Sequence, residues 1–430
     1  MKKIFFLAIS LLIAAAFAQN YAQAKRNFKT FRSDVLTQWM DLHCGLIKST
    51  KGIGHVAYSN HFAYTGIAVY EACHGSNKQY ISLSNQLNGL KGFPAARSGT
   101  YWPASVTAAY SQMLRHFYRS FEECIVRIDS LQAEQEKMFA VSGIATDVLK
   151  SSKDYGDAVA TAVTDWAKSD NSIVTTAFTL QEGEGLWKPT PPAFAAAALP
   201  YWGDKRGFTN NLLTIADVLK SPVYSSDSNA AFYKMAKEVY DVSVSLTPEQ
   251  KATALYWDDS PNGSYISVFG HWTSILSSII KSKQLSLVQA AEAYAKMSMS
   301  MHEASIVTWR GKYKYNVLRP VTYIQSNFDK DWLPVIPTPP HPEFPAAHAT
   351  LSYSAATALC ALFGEHCAFT DATYISLGMP ARSYTSVKDA AREAGMSRLY
   401  GGIHYRYSIE QGFVLGERAA RHVLRSVKFK

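Results

Sequence analysis

Three short stretches in the last third of the 430-residue chain set cationic and imidazole side chains beside helix-breaking residues. They are Lys312 with Arg319-Pro320, then Pro345-Ala346-Ala347-His348, then Ser397-Arg398 with His404. Converging on one point, such groups hold a tetrahedral oxyanion: guanidinium forks and an ammonium neutralise its oxygens, and an imidazole moves a proton or attacks its centre. Lys312 and Arg319 are seven apart, so on one helix they share a face about 10.5 Å apart and can reach a common anion. A solvated basic face, with Arg310 and Lys314 nearby, explains the same residues. His348 follows Phe344-Pro345, and proline favours a first helical turn, so the spacing predicts the amides of Ala346 and Ala347 at an anion-attracting helix start. The alternative there is a packed core histidine. Gly401-Gly402 allows a sharp turn between a helix ending near Arg398 and one starting at His404, turning both toward one point; a glycine-broken hairpin with incidental polar residues is the other reading.

Elements able to position these groups are helical. Asp34 to Ile47, Ala57 to Cys73, Val106 to Phe121, Ala230 to Val244 and Leu287 to Trp309 carry apolar residues at three- and four-residue spacing, and strand-like alternation is scarce, so the expected class is all-α. Ser169 to Asp217 is rich in Thr, Pro and Gly, and Trp332 to Pro345 holds six prolines, so both read as loops. The first is expected to cross between an N-terminal helical half, 25–168, and a C-terminal helical domain, 226–430, over 169–225. The second is expected to form part of the site. Lys2-Lys3, an apolar run from Ile4 to Ala18 and small residues at Ala16-Phe17-Ala18 and Ala22-Gln23-Ala24 have the layout of a secretory signal peptide over 1–24, implying an exported, periplasmic or extracellular protein without a membrane span.

Net charge is +9, of which the leader carries two lysines and no acid, and no dense basic run is present. A moderate, dispersed excess suits small anions and argues against nucleic acid. Five cysteines (Cys44, Cys73, Cys124, Cys360 and Cys367) are too few for a disulfide scaffold and read as buried free thiols. No His-Glu-x-x-His or paired-cysteine spacing marks an ordinary metal site around His341, Glu343 and His348 or at His302-Glu303. Glu303 reads as a salt-bridge partner for a pocket arginine. His43, His55, His61, His74, His116, His366 and His422 read as structural.

In order and spacing the three stretches resemble the signature shared by vanadium-dependent haloperoxidases and type 2 phosphatidic acid phosphatases. That signature is Lys, six residues, Arg-Pro; Pro-Ser-Gly-His; then Ser-Arg, five residues, His, three residues, Asp. Phe62 to Ala72, Trp187 to Pro192, Tyr256 to Pro261 and Gly270-His271-Trp272 resemble bacterial haloperoxidase-like chains as well. The resemblance implies a pocket in the C-terminal bundle, with vanadate as cofactor and phosphate as a competing occupant. Vanadium would be bound axially by His404, and its oxygens met by Lys312, Arg319, Ala347, Ser397 and Arg398. His348 would be the acid/base group, Trp309, His341 and Phe344 would line the pocket, and hydrogen peroxide and halide would be the substrates. Family members are often homo-oligomers.

Departures from the signature carry expectations of their own. Ala346 replaces the serine hydroxyl, a loss of about 1.5–3 kcal/mol for a bond to a charged group. Ala347 replaces glycine and costs roughly 1 kcal/mol more if the position needs positive φ. Ser408 replaces the closing aspartate, which should leave His404 less basic and less fixed. Two further functions stay open on the same residues: a phosphatase with His404 as nucleophile and His348 as general acid, and a non-catalytic anion binder.

Overall fold

The computed structural model describes residues 31–170, 177–212 and 219–430. The leader-like segment 1–24 and parts of the crossing loop, 171–176 and 213–218, lie outside them.

Helices make up the architecture. The N-terminal half holds α1 (Asp34–Ile47), α2 (Tyr58–Glu71), α3 (Trp102–Tyr118), α4 (Glu122–Ala140) and α5 (Thr146–Ala167). After the crossing loop come α6 (Ala231–Val244), α7 (Pro248–Tyr256), α8 (Val268–Lys283), α9 (Leu287–Tyr315), α10 (Pro320–Asn327) and α11 (Ala347–Phe363). A small antiparallel pair, β1 (Phe369–Asp371) and β2 (Arg382–Tyr384), precedes α12 (Val387–Tyr400) and α13 (Arg406–Ser426). No helix among the described residues is long and apolar enough to cross a membrane.

The 29-residue α9 is the axis of the molecule, buried from Leu287 to Trp309 with little interruption. Buried on every side, it carries apolar residues together with buried polar ones such as Glu292, His302 and Glu303, and α2, α8, α11 and α13 enclose it. Both halves therefore share one continuous core. Glycine sets the closest approach: a Cβ at Gly412 would lie 2.8 Å from the Ala346 carbonyl oxygen. That contact seats the first turns of α13 directly against the start of α11, the two places from which His404 and His348 project.

Several expectations change in detail. Lys312 and Arg319 do not share a helix: Asn316 closes α9 in the left-handed conformation (φ 49°), and Arg319 is extended (φ −77°, ψ 153°) as the residue before Pro320. Pro345 lies outside α11, whose N-cap is Ala346. Cys360 is on α11 and Cys367 beyond its end, and all five cysteines are free thiols. Glu303, expected to pair with a pocket arginine, instead accepts from Thr209 N–H at 2.8 Å and its hydroxyl at 3.2 Å.

Candidate active site

A cavity of about 60 Å³ opens between the start of α11, the α12–α13 turn and the proline-rich loop. At roughly 10–15 Å³ per water-sized position, it holds about four to six such groups, the size of a tetrahedral oxyanion. Of the residues singled out from sequence, Trp309, His341, Ala347, His348, Arg398 and His404 line it. Phe344 does not; it is fully buried and stacks on Tyr407. Ser397 lies behind Arg398, whose Nε donates to its Oγ at 3.1 Å.

Lys312 and Arg319 also stand behind the lining, both without solvent exposure. Lys312 Nζ donates to the carbonyls of Pro342 (2.9 Å) and Glu343 (3.0 Å). Arg319 donates from Nε to the His341 carbonyl at 2.9 Å and from Nη1 to the Ile403 carbonyl at 2.9 Å. Its Nη1 is also 3.2 Å from His404 Nε2, and its Nη2 is 2.9 Å from His341 Nδ1. The two cations thus pin the proline-rich loop and the α12–α13 turn together. Gly402 makes that turn with φ +77°, a conformation glycine adopts without strain.

His404 has a defined tautomer. Its Nδ1 is 2.7 Å from Glu343 Oε1, and an ionised carboxylate only accepts, so Nδ1 carries the proton. Arg319 only donates, so Nε2 keeps a lone pair. Glu343 also receives Tyr405 N–H at 3.0 Å and the Ser408 hydroxyl at 2.6 Å, three donors that favour the carboxylate form. Burial pushes the Glu343 carboxyl up to about 7, against the opposing pull of Ser408, Arg319, Lys312 and the Tyr405 amide.

The expected loosening of His404 at the serine substitution therefore does not occur. Glu343 supplies the carboxylate from another segment, and the shorter Ser408 side chain leaves room for it and bonds to it. His404 is nonetheless weakly basic, because burial and then Arg319, Lys312, His341 and Arg398 favour the neutral ring. Ala347 is the first residue of α11 and has no positive φ, so the cost attached to replacing glycine does not arise.

Across the cavity, His348 Nε2 donates to Asp259 Oδ2 at 3.2 Å, leaving Nδ1 as acceptor. Burial, then the Arg398 charge, lowers its pKa to about 4 although Asp259 opposes the shift. Arg398 donates to the Trp257 carbonyl and is fully buried among cavity groups. Asp259 and His55 were missed from sequence. His55, read as structural, lines the mouth of the cavity from the N-terminal half. Asp259 had a signal in the Tyr256 to Pro261 motif but no role.

A family model described as the second helical-bundle domain of VCPO matches residues 292–429. The first bacterial vanadium-dependent iodoperoxidase superposes with a TM-score of 0.86 and 31% identity, over 93% of this chain and 97% of that one. The chain belongs to the vanadium-dependent haloperoxidase superfamily. Holo and apo forms of a bacterial vanadium-dependent chloroperoxidase share its fold at TM-scores of 0.67 and 0.66 with 15% and 16% identity, over 87% of this chain and 94% of each of theirs. A search of curated proteins finds no match.

Proposed function

We propose that the protein is a vanadium-dependent haloperoxidase that oxidises halide with hydrogen peroxide, iodide foremost, since the 31% identical relative is an iodoperoxidase. The observation carrying the proposal is His404: Glu343 holds its Nδ1–H at 2.7 Å, so Nε2 keeps its lone pair on a ring that lines an oxyanion-sized cavity. The donor set fits vanadate. Imidazole nitrogen and clustered cations suit a metal oxyanion, and Lys312, Arg319 and Arg398 are all buried in or just behind the cavity wall.

His404 Nε2 would be the ligand to vanadium. Arg398 and the first-turn amides of α11 would meet the oxygens. Arg319, 3.2 Å from His404 Nε2, sits where a ligand of that nitrogen would find it, and Lys312 acts through its buried charge. Vanadate, when bound, activates hydrogen peroxide toward two-electron oxidation of halide. His348, neutral above about pH 4 and with Nδ1 free to accept, would take up and hand back the proton exchanged as hydrogen peroxide enters the site. Trp309 and His341 shape the wall where halide approaches. Export of the chain, on the leader-like pattern of residues 1–24, belongs to the same proposal.

The test is reconstitution with orthovanadate followed by assays of iodide and bromide oxidation with hydrogen peroxide. Activity that depends on vanadate and disappears in His404→Ala supports the proposal. A folded protein that binds vanadate without oxidising either halide overturns it.

A further inference from the structure

Behind His348 lies a chain of buried charges that the proposed reaction does not use. His271 on α8 is wholly buried, with Nδ1 2.8 Å from Asp259 Oδ1 and Nε2 2.8 Å from Asp371 Oδ2. A carboxylate faces each ring nitrogen, so each must carry a proton and the ring is an imidazolium. Asp259 Oδ1 also receives the Tyr374 hydroxyl at 2.7 Å, and Asp371 Oδ1 receives Thr373 N–H at 3.0 Å. Trp257 stacks on the His271 ring at 4.4 Å, closing it from above. The remaining oxygen of Asp259, Oδ2, is the one that meets His348.

We propose that His271 is a positioning residue for His348: clamped between Asp371 and Asp259, its imidazolium fixes Asp259 so that Oδ2 holds the His348 ring and limits the negative charge that ring experiences. The assignment rests on reading His348 as the acid/base group of the site. Burial of an isolated imidazolium is costly, and two flanking carboxylates offset that cost here. Burial opposes the His271 charge, yet Asp259 and Asp371 raise its pKa to about 10. Asp259, which burial would push up, is held well below the ordinary carboxylate range by His271 and His348. The groups that act most strongly on His348 are Asp259 from the α7–α8 connection, Arg398 from α12 and His55 from the segment before α2, and Asp258, His341 and His404 line the same cavity. Of the groups that act most strongly on it, Asp259 draws a proton onto His348, and His271 is the cation that tempers it.

The sign of each perturbation follows. His271→Gln removes the tempering cation, so the His348 pKa should rise, by about 1.5 units for a charge about 8 Å away at an effective dielectric near 20. Asp259→Asn removes the attraction, so it should fall. The experiment is heteronuclear NMR of histidine-labelled, ligand-free protein, with His271 and His348 assigned by substitution. Two protonated His271 nitrogens at pH 8 and opposite His348 shifts in the two variants are the expected result. A neutral His271 ring in the unmodified protein overturns the proposal, as does an unchanged His348 titration in the folded variants. Should His271→Gln not fold, the unmodified protein and Asp259→Asn decide alone. Because no vanadate, peroxide or halide is present, failure here is distinct from failure of the haloperoxidase reading.

Discussion

Replacing Glu343 by Gln, alone and with Ser408→Asp, asks whether the carboxylate that fixes His404 has moved from one segment to another. Glu343 receives three donors: His404 Nδ1–H at 2.7 Å, Tyr405 N–H at 3.0 Å and the Ser408 hydroxyl at 2.6 Å. Glutamine can keep the first two on its carbonyl oxygen, and Ser408 can turn to accept from the new amide. Shape is thus retained and charge is lost. A bond to a charged group is worth about 1.5–3 kcal/mol and a neutral one about 0.5–1.5, so each donor loses roughly 1 kcal/mol. The part borne by His404 should weaken vanadate binding by about 5- to 10-fold, the low end of what loss of an outer carboxylate partner does for metal-bound histidines. Ser408→Asp alone should also be harmful, since two carboxylates about 4 Å apart repel by about 4 kcal/mol at an effective dielectric near 20. The double variant should recover most of the lost affinity, because one carboxylate again faces His404. Vanadate titration by calorimetry, with thermal unfolding of the four proteins alongside, measures the cycle. Additive losses in the double variant would refute the reasoning.

His348→Ala should lower halide oxidation by about 10²–10⁴-fold while vanadate affinity stays within about tenfold, separating proton transfer from anion binding in steady-state and binding assays. Ala346→Ser places a hydroxyl at the uncapped N-cap of α11 and should stabilise the protein by about 1 kcal/mol, read by chemical denaturation. Stability should climb as pH rises from about 4 to 6.5. Burial lowers the pKa of His348 to about 4, of His61 and His302 to about 3, and of His43, His341 and His404 well below 6.5. The folded state therefore binds fewer protons than the unfolded one in that window, which makes the slope positive. Glu303 and Glu343, raised to about 7 chiefly by burial, oppose it with fewer groups. Stabilisation by His271, whose pKa is raised to about 10, is complete below 6.5 and lost as pH rises through 10. Thermal unfolding across pH 3.5–10.5 checks both limbs.

Periodicity located α1 at its observed bounds and found most of α2, α3, α6 and α9, because each buries an apolar stripe at helical spacing. It did not point out α4 and α5, whose outer faces are heavily charged and polar, nor α7, α8 and the short α10 that Pro320 begins. Placing Lys312 and Arg319 on one helix overlooked a local rule: a residue before proline leaves the α region, as Arg319 does. Trp309, His341, His348, Arg398 and His404 were legible as cavity residues because their spacing is a sequence pattern. His55 was not, since what brings it to the cavity is packing between halves more than two hundred residues apart.

The Ser408 position shows why reading a motif residue by residue misjudges a site. An absent aspartate at 408 looks like a lost charge. What His404 requires is a carboxylate within hydrogen-bonding distance of Nδ1, from whichever segment can reach it. The proline-rich loop passes there because Lys312 and Arg319 bind its carbonyls at Pro342, Glu343 and His341. Those same buried cations need an anion, and Glu343 meets both demands with one side chain. A serine at 408 then becomes the better residue, because it donates to Glu343 where an aspartate would repel it. Covariation between 343 and 408, acid at one and a small donor at the other, is the pattern this physics imposes on chains that keep the pocket.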